Sequence, residues 1–338
     1  MPQKRPNDIE KEIFENNNAA FADKAFTLFH FQYENNAIYR QFCNTLQITP
    51  ADVKRIEEIP FLPISFFKTH TVFCGEPHKD NIFFESSGTT GSVNSIHKIK
   101  DINVYTESFL NGFKQFYGSP SQYCIIGLLP SYLQRAHSSL VYMVNDLISR
   151  SGNNHSGFYL DEYEKLQQTL LHNEQAGQKT MLIGVTYALL DFAEQYPMTL
   201  KNTIIMETGG MKGRREELTR EEVHTLLKQQ FGVNEIHSEY GMTELLSQAY
   251  SRGKGIFYPA GTMKVLLRAE DDPFDISASI PEPRPFTTGA INIIDLANIY
   301  SCSFIATDDM ARLYADGSFE VLGRLDNSDI RGCSLMAL

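Results

Sequence analysis

The chain has 338 residues, 42% of them hydrophobic and 12% aromatic, enough apolar material for a large buried core and for more than one lobe. Its formal net charge of -11 opposes nucleic acid and anionic membrane surfaces as partners, so a polyanionic substrate has to be met by a local cluster of cations. Cys43, Cys74, Cys124, Cys302 and Cys333 are odd in number, widely spaced and without a C-x-x-C pair, which argues against a zinc knuckle or disulfide framework and for reduced thiols in a cytoplasmic protein.

Met1 to Asn18 is polar and charged with no apolar leader segment, and no later stretch has the length of apolar sequence that a membrane span needs. From Asp8 to about Val53 the spacing predicts helices, with Phe14, Phe21, Phe26, Phe29, Phe31 and Phe42 scattered among polar residues, and residues 1–58 are read as an N-terminal helical cap. The segment Ile59-Pro60-Phe61-Leu62-Pro63 closes it, because each proline disfavours helix in the residue before it. Beyond lies an α/β core over 59–254. Its strands are expected at Tyr123–Leu129, Lys179–Val185 and Thr203–Met206, and helical spacing runs over Ser138–Ile148 and from Val185 to about Gln195. Thr219 with Glu222 forms a capping box that opens a helix reaching about Phe231. This alternation implies an α/β fold with a mainly parallel sheet covered by helices. Residues 255–322 read as a smaller β-rich lobe with strands at Met263–Leu267, Ala290–Asp295 and Ser318–Leu322, and 323–338 as a hinge remnant and tail.

The segment Phe84-Glu85-Ser86-Ser87-Gly88-Thr89-Thr90-Gly91-Ser92 follows the apolar Ile82-Phe83 and carries little but hydroxyls and glycines. Such a loop presents backbone N–H groups and hydroxyls to a phosphate chain, with glycines permitting close approach; a plain Ser/Gly turn is the other reading. No Gly-Lys-Ser/Thr closes it, so it is not a Walker A loop.

Four segments in order resemble the adenylate-forming superfamily, which contains acyl-CoA synthetases, adenylation domains and firefly luciferase. Ser86-Ser87-Gly88-Thr89-Thr90-Gly91 is similar to its phosphate loop, and Glu239-Tyr240-Gly241-Met242-Thr243-Glu244 to its Tyr-Gly-x-Thr-Glu motif. Ala306-Thr307-Asp308-Asp309 is similar to its Thr-Gly-Asp-Leu segment, with Asp308 where the family has glycine, and Gly323-Arg324-Leu325-Asp326 to its Gly-Arg-x-Asp hinge. The resemblance implies an ATP site in which Thr243 touches the α-phosphate and Glu244 holds Mg²⁺, with Tyr240 and Gly241 beside the nucleotide. Asp309 would accept hydrogen bonds from the ribose hydroxyls, and Gly209 and Gly210 would lie against adenine. Lys212, Arg214 and Arg215 face phosphate or are simply solvated; Arg135 and His137 stand where relatives place acyl or carboxylate contacts but also read as a surface pair.

Members of the superfamily usually continue past the hinge into a mobile lid that supplies a lysine, whereas this sequence has twelve residues after Asp326. The expectation is that Lys98, Lys212, Arg324 or Arg331 takes the place of that lysine. The branch of acyl-protein synthetases (luciferin-component ligases), related to phenylacetate-CoA ligases, is similarly short and resembles this chain in its Pro-rich segment and at Arg331-Gly332-Cys333-Ser334-Leu335-Met336. That likeness implies activation of a fatty acid as an acyl-adenylate, transfer to Cys333, and delivery to an acceptor protein such as a reductase or transferase. Chemically, a thiolate attacks an acyl-adenylate readily, and Arg324 or Arg331 would raise the ionised fraction of a thiol whose ordinary pKa is about 8.5. An acyl- or aryl-CoA ligase using CoA or a carrier-protein thiol, and a non-catalytic nucleotide-binding module, are the alternatives.

Overall fold

In the computed structural model the described residues are 6–14, 20–86, 93–130, 137–160, 162–209, 218–277 and 285–325. They divide into two units. One takes the described residues of Met1–Gly112, Gly241–Gln248 and Pro259–Phe319, the other those of Phe113–Tyr240, Ala249–Tyr258 and Glu320–Leu338.

In the first unit the expected N-terminal helices are Pro6–Phe14, Phe21–Asn35 and Ala37–Thr45. Asn36 ends one helix and caps the next: its Oδ1 accepts from Tyr39 N at 3.0 Å while its Nδ2 donates to Ser301 O at 2.8 Å. Phe29, Tyr39 and Phe61 gather around Phe304 with ring centroids 5.9–6.2 Å apart, so the apolar face of the helices is buried against one strand. That strand, Phe304–Tyr314, pairs antiparallel with Phe286–Asp295, which pairs in turn with Met263–Arg268 and then Ile276–Ser277. The Pro-rich segment does more than close the helices. Leu62 and Pro63 run parallel to Ile305 and Ala306, and Ile64 N donates to Ala306 O at 2.9 Å. A separate antiparallel pair, Ile82–Glu85 with Ile96–Ile99, brackets the Ser/Gly/Thr loop.

The second unit holds the expected parallel strands Cys124–Leu128, Thr180–Val185, Thr203–Thr208 and His237–Tyr240, in the spatial order in which they pair. Every residue of the first two is buried, as strands covered on both faces require. Helices Ser139–Ser151, Tyr163–Gln175, Thr186–Gln195 and Arg220–Phe231 alternate with them. The capping box is present: Thr219 Oγ1 accepts from Glu222 N at 3.3 Å, and the Glu222 carboxylate accepts from Thr219 N at 2.8 Å. Ala249–Ser251 pairs antiparallel with His237–Tyr240, and Ile256–Pro259 and then Phe319–Arg324 follow it in the strand order. The α/β expectation, a mainly parallel helix-covered sheet with a β-rich part, describes the molecule.

The ladder between Phe286–Asp295 and Phe304–Tyr314 contains one irregularity. Ala290 pairs with Met310 and Asn292 with Ala306, so Thr307, Asp308 and Asp309 oppose the single residue Ile291. Gly289 lies beside this bulge, and a Cβ there would stand 2.5 Å from the carbonyl oxygen of Arg268. Because that obstacle is backbone, Gly289→Ala is expected to destabilise the fold by about 1–3 kcal/mol, read as a lower urea midpoint with unchanged m-value.

Candidate active site

The base of the Ser/Gly/Thr loop is closed by Ser86 and Ser95. Ser86 N donates to Ser95 O at 3.0 Å, and Ser95 N donates to Ser86 Oγ at 2.8 Å. Ser87, Gly88, Thr89, Thr90 and Gly91 lie outside the described residues. Two residues beyond Ser95, the buried His97 places Nδ1 2.8 Å from the carbonyl oxygen of Thr243. The loop base and the Thr-Glu segment, far apart in sequence, are thus joined by one hydrogen bond. A carbonyl oxygen only accepts, so His97 carries a proton on Nδ1. Burial pushes the imidazole down to about 4, against the opposing influence of its bonds, so the ring is neutral near pH 7.

The Thr243–Ser247 segment is held by its backbone. Asn298 Nδ2 donates to Glu244 O at 2.7 Å. The fully buried Asp295 accepts from Leu246 N at 2.7 Å and Ser247 N at 3.0 Å through Oδ2, and from Ser247 Oγ at 2.6 Å through Oδ1. Burial pushes the Asp295 carboxyl up, and these same hydrogen bonds oppose that shift. The Glu244 side chain differs from its surroundings. It is 0% exposed, and neither carboxylate oxygen has a hydrogen-bond partner among the described residues. A buried carboxylate without a donor is strongly disfavoured unless a cation meets it.

That carboxylate fits Mg²⁺. No group of three or more His, Cys, Asp or Glu among the described residues could form an all-protein metal cage. Mg²⁺ is commonly held by one or two carboxylates together with substrate phosphates, and Glu244 is of that kind.

Asp309 sits in the bulge. Its N–H donates to Thr307 Oγ1 at 3.2 Å, and Thr307 Oγ1 donates to Ile291 O at 3.0 Å. Arg268 fills the interruption in the ladder: Nη1 donates to Ile291 O at 2.9 Å and Asn292 Oδ1 at 2.7 Å, and Nη2 to Thr307 O at 2.6 Å. Carbonyls that the bulge removes from regular pairing are thereby satisfied, and both aspartates of the bulge are half-buried. Burial lowers the Arg268 guanidinium and the nearby Asp308 raises it.

In the second unit Gly209, Tyr240 and Arg324 lie at or just past strand ends, Gly209 with φ +72°. The Thr186 hydroxyl is 2.7 Å from Gly209 O and 2.9 Å from Glu207 Oε1, and Glu207 Oε2 accepts from Ser238 Oγ at 3.1 Å. Burial would raise the Glu207 carboxyl, but the hydrogen bond and charge of His224, with Arg220 and Thr186, bring it below the usual range. Thr208 Oγ1 donates to Glu239 Oε2 at 2.6 Å. These groups occupy the carboxyl ends of parallel strands, where open α/β sheets bind ligands. His137 is exposed and Lys98 half-buried; Arg135, Gly210, Lys212, Arg214, Arg215, Asp326, Arg331 and Cys333 lie outside the described residues.

The fold is that of the core of adenylate-forming enzymes. It is similar to ATP-bound MatB from Rhodopseudomonas palustris, with a TM-score of 0.52 and 17% identity over 72% of this chain and 47% of that one. It is also similar to a malonyl-CoA ligase in a ternary product complex with methylmalonyl-CoA and AMP, with a TM-score of 0.51 and 18% identity over 76% of this chain and 56% of that one. The chain spans about half the length of the solved structures it matches. The family model described as acyl-protein synthetase, LuxE, matches residues 11–337, so the chain belongs to that family of ATP-dependent ligases. A curated relative, the long-chain-fatty-acid–luciferin-component ligase of Vibrio harveyi, is 21% identical over 328 residues, which are 91% of this chain and 84% of that protein. No helix among the described residues is long and apolar enough to cross a membrane.

Four residues around these sites carry no motif: His97, Asp295, Asn298 and Arg268. His97 takes an inward position of the strand Ile96–Ile99, and Asp295 ends the largely apolar run Ala290–Asp295; a polar residue at a buried strand position was the available signal. Arg268 and Asn298 are legible only once their partners are in place.

Burial pushes the Glu239 carboxyl from its ordinary 4.5 up to about 7, with Thr208 lowering it and Glu207 raising it. The folded state therefore binds this proton more tightly than the unfolded chain, and the Glu239 contribution to stability is lost as pH rises from 4.5 to about 7. His97 and His237, each held near 4 by burial, run the opposite way over part of that range. The difference between wild type and Glu239→Gln isolates the carboxyl. The variant is expected to gain stability relative to wild type as pH rises through this window, measured by urea midpoints at several pH values.

Proposed function

We propose that this protein converts a carboxylic acid of the fatty-acid class and ATP to an acyl-adenylate and pyrophosphate, then transfers the acyl group to its own Cys333. In the first step a carboxylate oxygen attacks the α-phosphorus as the bond to pyrophosphate breaks. In the second the Cys333 thiolate attacks the acyl carbonyl carbon and AMP leaves. The name of the Vibrio harveyi relative supports the substrate class, and the family supports a protein-linked acyl group that is passed to an acceptor protein.

The residues divide the work as follows. The Ser86 hydroxyl, together with the backbone N–H groups and hydroxyls of Ser87, Gly88, Thr89, Thr90 and Gly91, holds the phosphates. Thr243 donates to the α-phosphate, and Glu244 binds Mg²⁺. Bound there, Mg²⁺ neutralises triphosphate charge and eases departure of pyrophosphate. Asp309 accepts from the ribose hydroxyls, while Gly209, Gly210, Tyr240 and Gly241 form the nucleobase side. Arg324 supplies positive charge toward the reacting carboxylate and raises the thiolate fraction of Cys333.

The observation that carries this reading is the fully buried Glu244 carboxylate, unpartnered among the described residues, on a segment bonded through His97 to the base of the loop. The test is ATP–pyrophosphate exchange over short, long and aromatic acids, with and without Mg²⁺. Exchange is expected with a long-chain acid, abolished without Mg²⁺ and reduced at least about a hundredfold in Glu244→Gln, in line with removal of a group that stabilises transition-state charge. No exchange with any acid defeats the reading. For the second step, radiolabelled acid with ATP should give an acyl-enzyme cleaved by neutral hydroxylamine and absent from Cys333→Ala. Full labelling of that variant through a thioester, or labelling that requires CoA, would show another acceptor.

A further inference from the structure

We propose that His97 is a positioning residue for the metal-binding carboxylate, acting through the peptide planes on either side of Glu244; this rests on the reading of Glu244 given above. The carbonyl of Thr243 belongs to the peptide plane that enters Glu244, and it accepts from His97 Nδ1 at 2.8 Å. The carbonyl of Glu244 belongs to the plane that leaves it, and it accepts from Asn298 Nδ2 at 2.7 Å.

These two anchors are one construction. His97 Nε2 lies 2.9 Å from Ser301 Oγ, which also lies beside Asn298 Oδ1; with the His97 proton on Nδ1, the single Ser301 hydroxyl proton serves one of these two acceptors at a time. Both planes that flank the Glu244 α-carbon are therefore gripped, one by His97 and the other by Asn298, with the Ser301 hydroxyl set between those two side chains. Fixing both planes fixes φ and ψ of Glu244, and with them the direction of its Cα–Cβ bond. That matters because the carboxylate has no side-chain donor among the described residues to aim it. The backbone does the aiming, and neither oxygen is taken by a donor among the described residues.

The construction is itself held rigid. His97 is 1% exposed and meets the edge of Phe67 at a centroid distance of 5.4 Å. Gln32 Nε2 donates to Asn298 O at 2.8 Å, tying that residue to the N-terminal helices. His97 is also two residues from Ser95, which closes the loop, so the same ring sets the spacing between loop base and carboxylate.

The experiment measures Mn²⁺ binding in the presence of ATP by electron paramagnetic resonance, beside pyrophosphate exchange and thermal unfolding, for wild type, His97→Asn, His97→Gln, His97→Phe and Ser301→Ala. An asparagine amide reproduces the Nδ1–H donor, and a glutamine amide falls at the Nε2 position. The expected result is that H97Q and H97F raise the half-saturating Mn²⁺ concentration about tenfold, a loss on the scale of one hydrogen bond, while H97N stays within about threefold of wild type. S301A, which keeps the Thr243 anchor, should fall between and serves if H97F does not fold.

The inference is overturned if H97Q and S301A bind Mn²⁺ and ATP as wild type does, or if H97N is no better than H97Q at a temperature where both are folded. Mn²⁺ binding that follows the expected series without exchange on any acid would defeat the catalytic reading and leave the role of His97 standing. Absence of Mn²⁺ binding in the wild-type protein with ATP would overturn both.

Discussion

A carboxylate removed from water needs donors or a cation, and among the described residues the buried Asp295 and Glu207 have donors. Asp295 accepts from Leu246, Ser247 and Ala297, and Glu207 from Thr186 and Ser238. Glu244 is buried to the same degree with neither oxygen bonded among the described residues. Such a group opposes folding, so its neighbours have to hold a conformation that the side chain would otherwise relax away from. The grip of His97, Asn298 and Asp295 on consecutive backbone groups of Thr243–Ser247 does this. The helices, the Phe304 aromatic cluster and the Asn36 and Gln32 side chains in turn fix the 298–304 segment from which that grip is exerted.

The bulge opposite Ile291 obeys the same logic with the sign of charge reversed. Interrupting a ladder frees carbonyl oxygens, and the guanidinium of Arg268 satisfies those of Ile291 and Thr307 while its charge lies near Asp308. The irregularity is thus stabilised by a cation committed to protein oxygens, and it presents Asp308 and Asp309 where a regular strand would have paired their backbone. In a chain of net charge -11, cations used in this way are withdrawn from contact with a polyanionic substrate. Loop N–H groups and a metal, which add no net protein charge, can share the phosphate charge with the remaining cations.

In the second unit, sequence pattern and structure agree closely because parallel strands buried on both faces admit little besides apolar residues. The runs at Cys124–Leu128 and Thr180–Val185 were legible for that reason, and so was the capping box at Thr219, whose chemistry is local. The polar cluster at the strand ends was not legible. Glu207 and Ser238 read as ordinary polar residues of short strands until the parallel register sets Glu207 beside Ser238.

The sequence by itself pointed to the adenylate-forming superfamily through four ordered motifs, to the helix-and-strand alternation through apolar periodicity, and to Thr243, Glu244 and Asp309 as residues of interest through those motifs. All of these are local in the chain, where spacing alone encodes them. Only the tertiary structure decided that Glu244 is buried without a donor among the described residues, that its flanking peptide planes are held by His97 and Asn298, and that Asp309 sits in a bulge supported by Arg268. His97 and Thr243 are 146 positions apart, and Arg268 and Thr307 are 39 apart. Hydrogen bonds over such separations depend on strand register and side-chain burial, which no local pattern specifies.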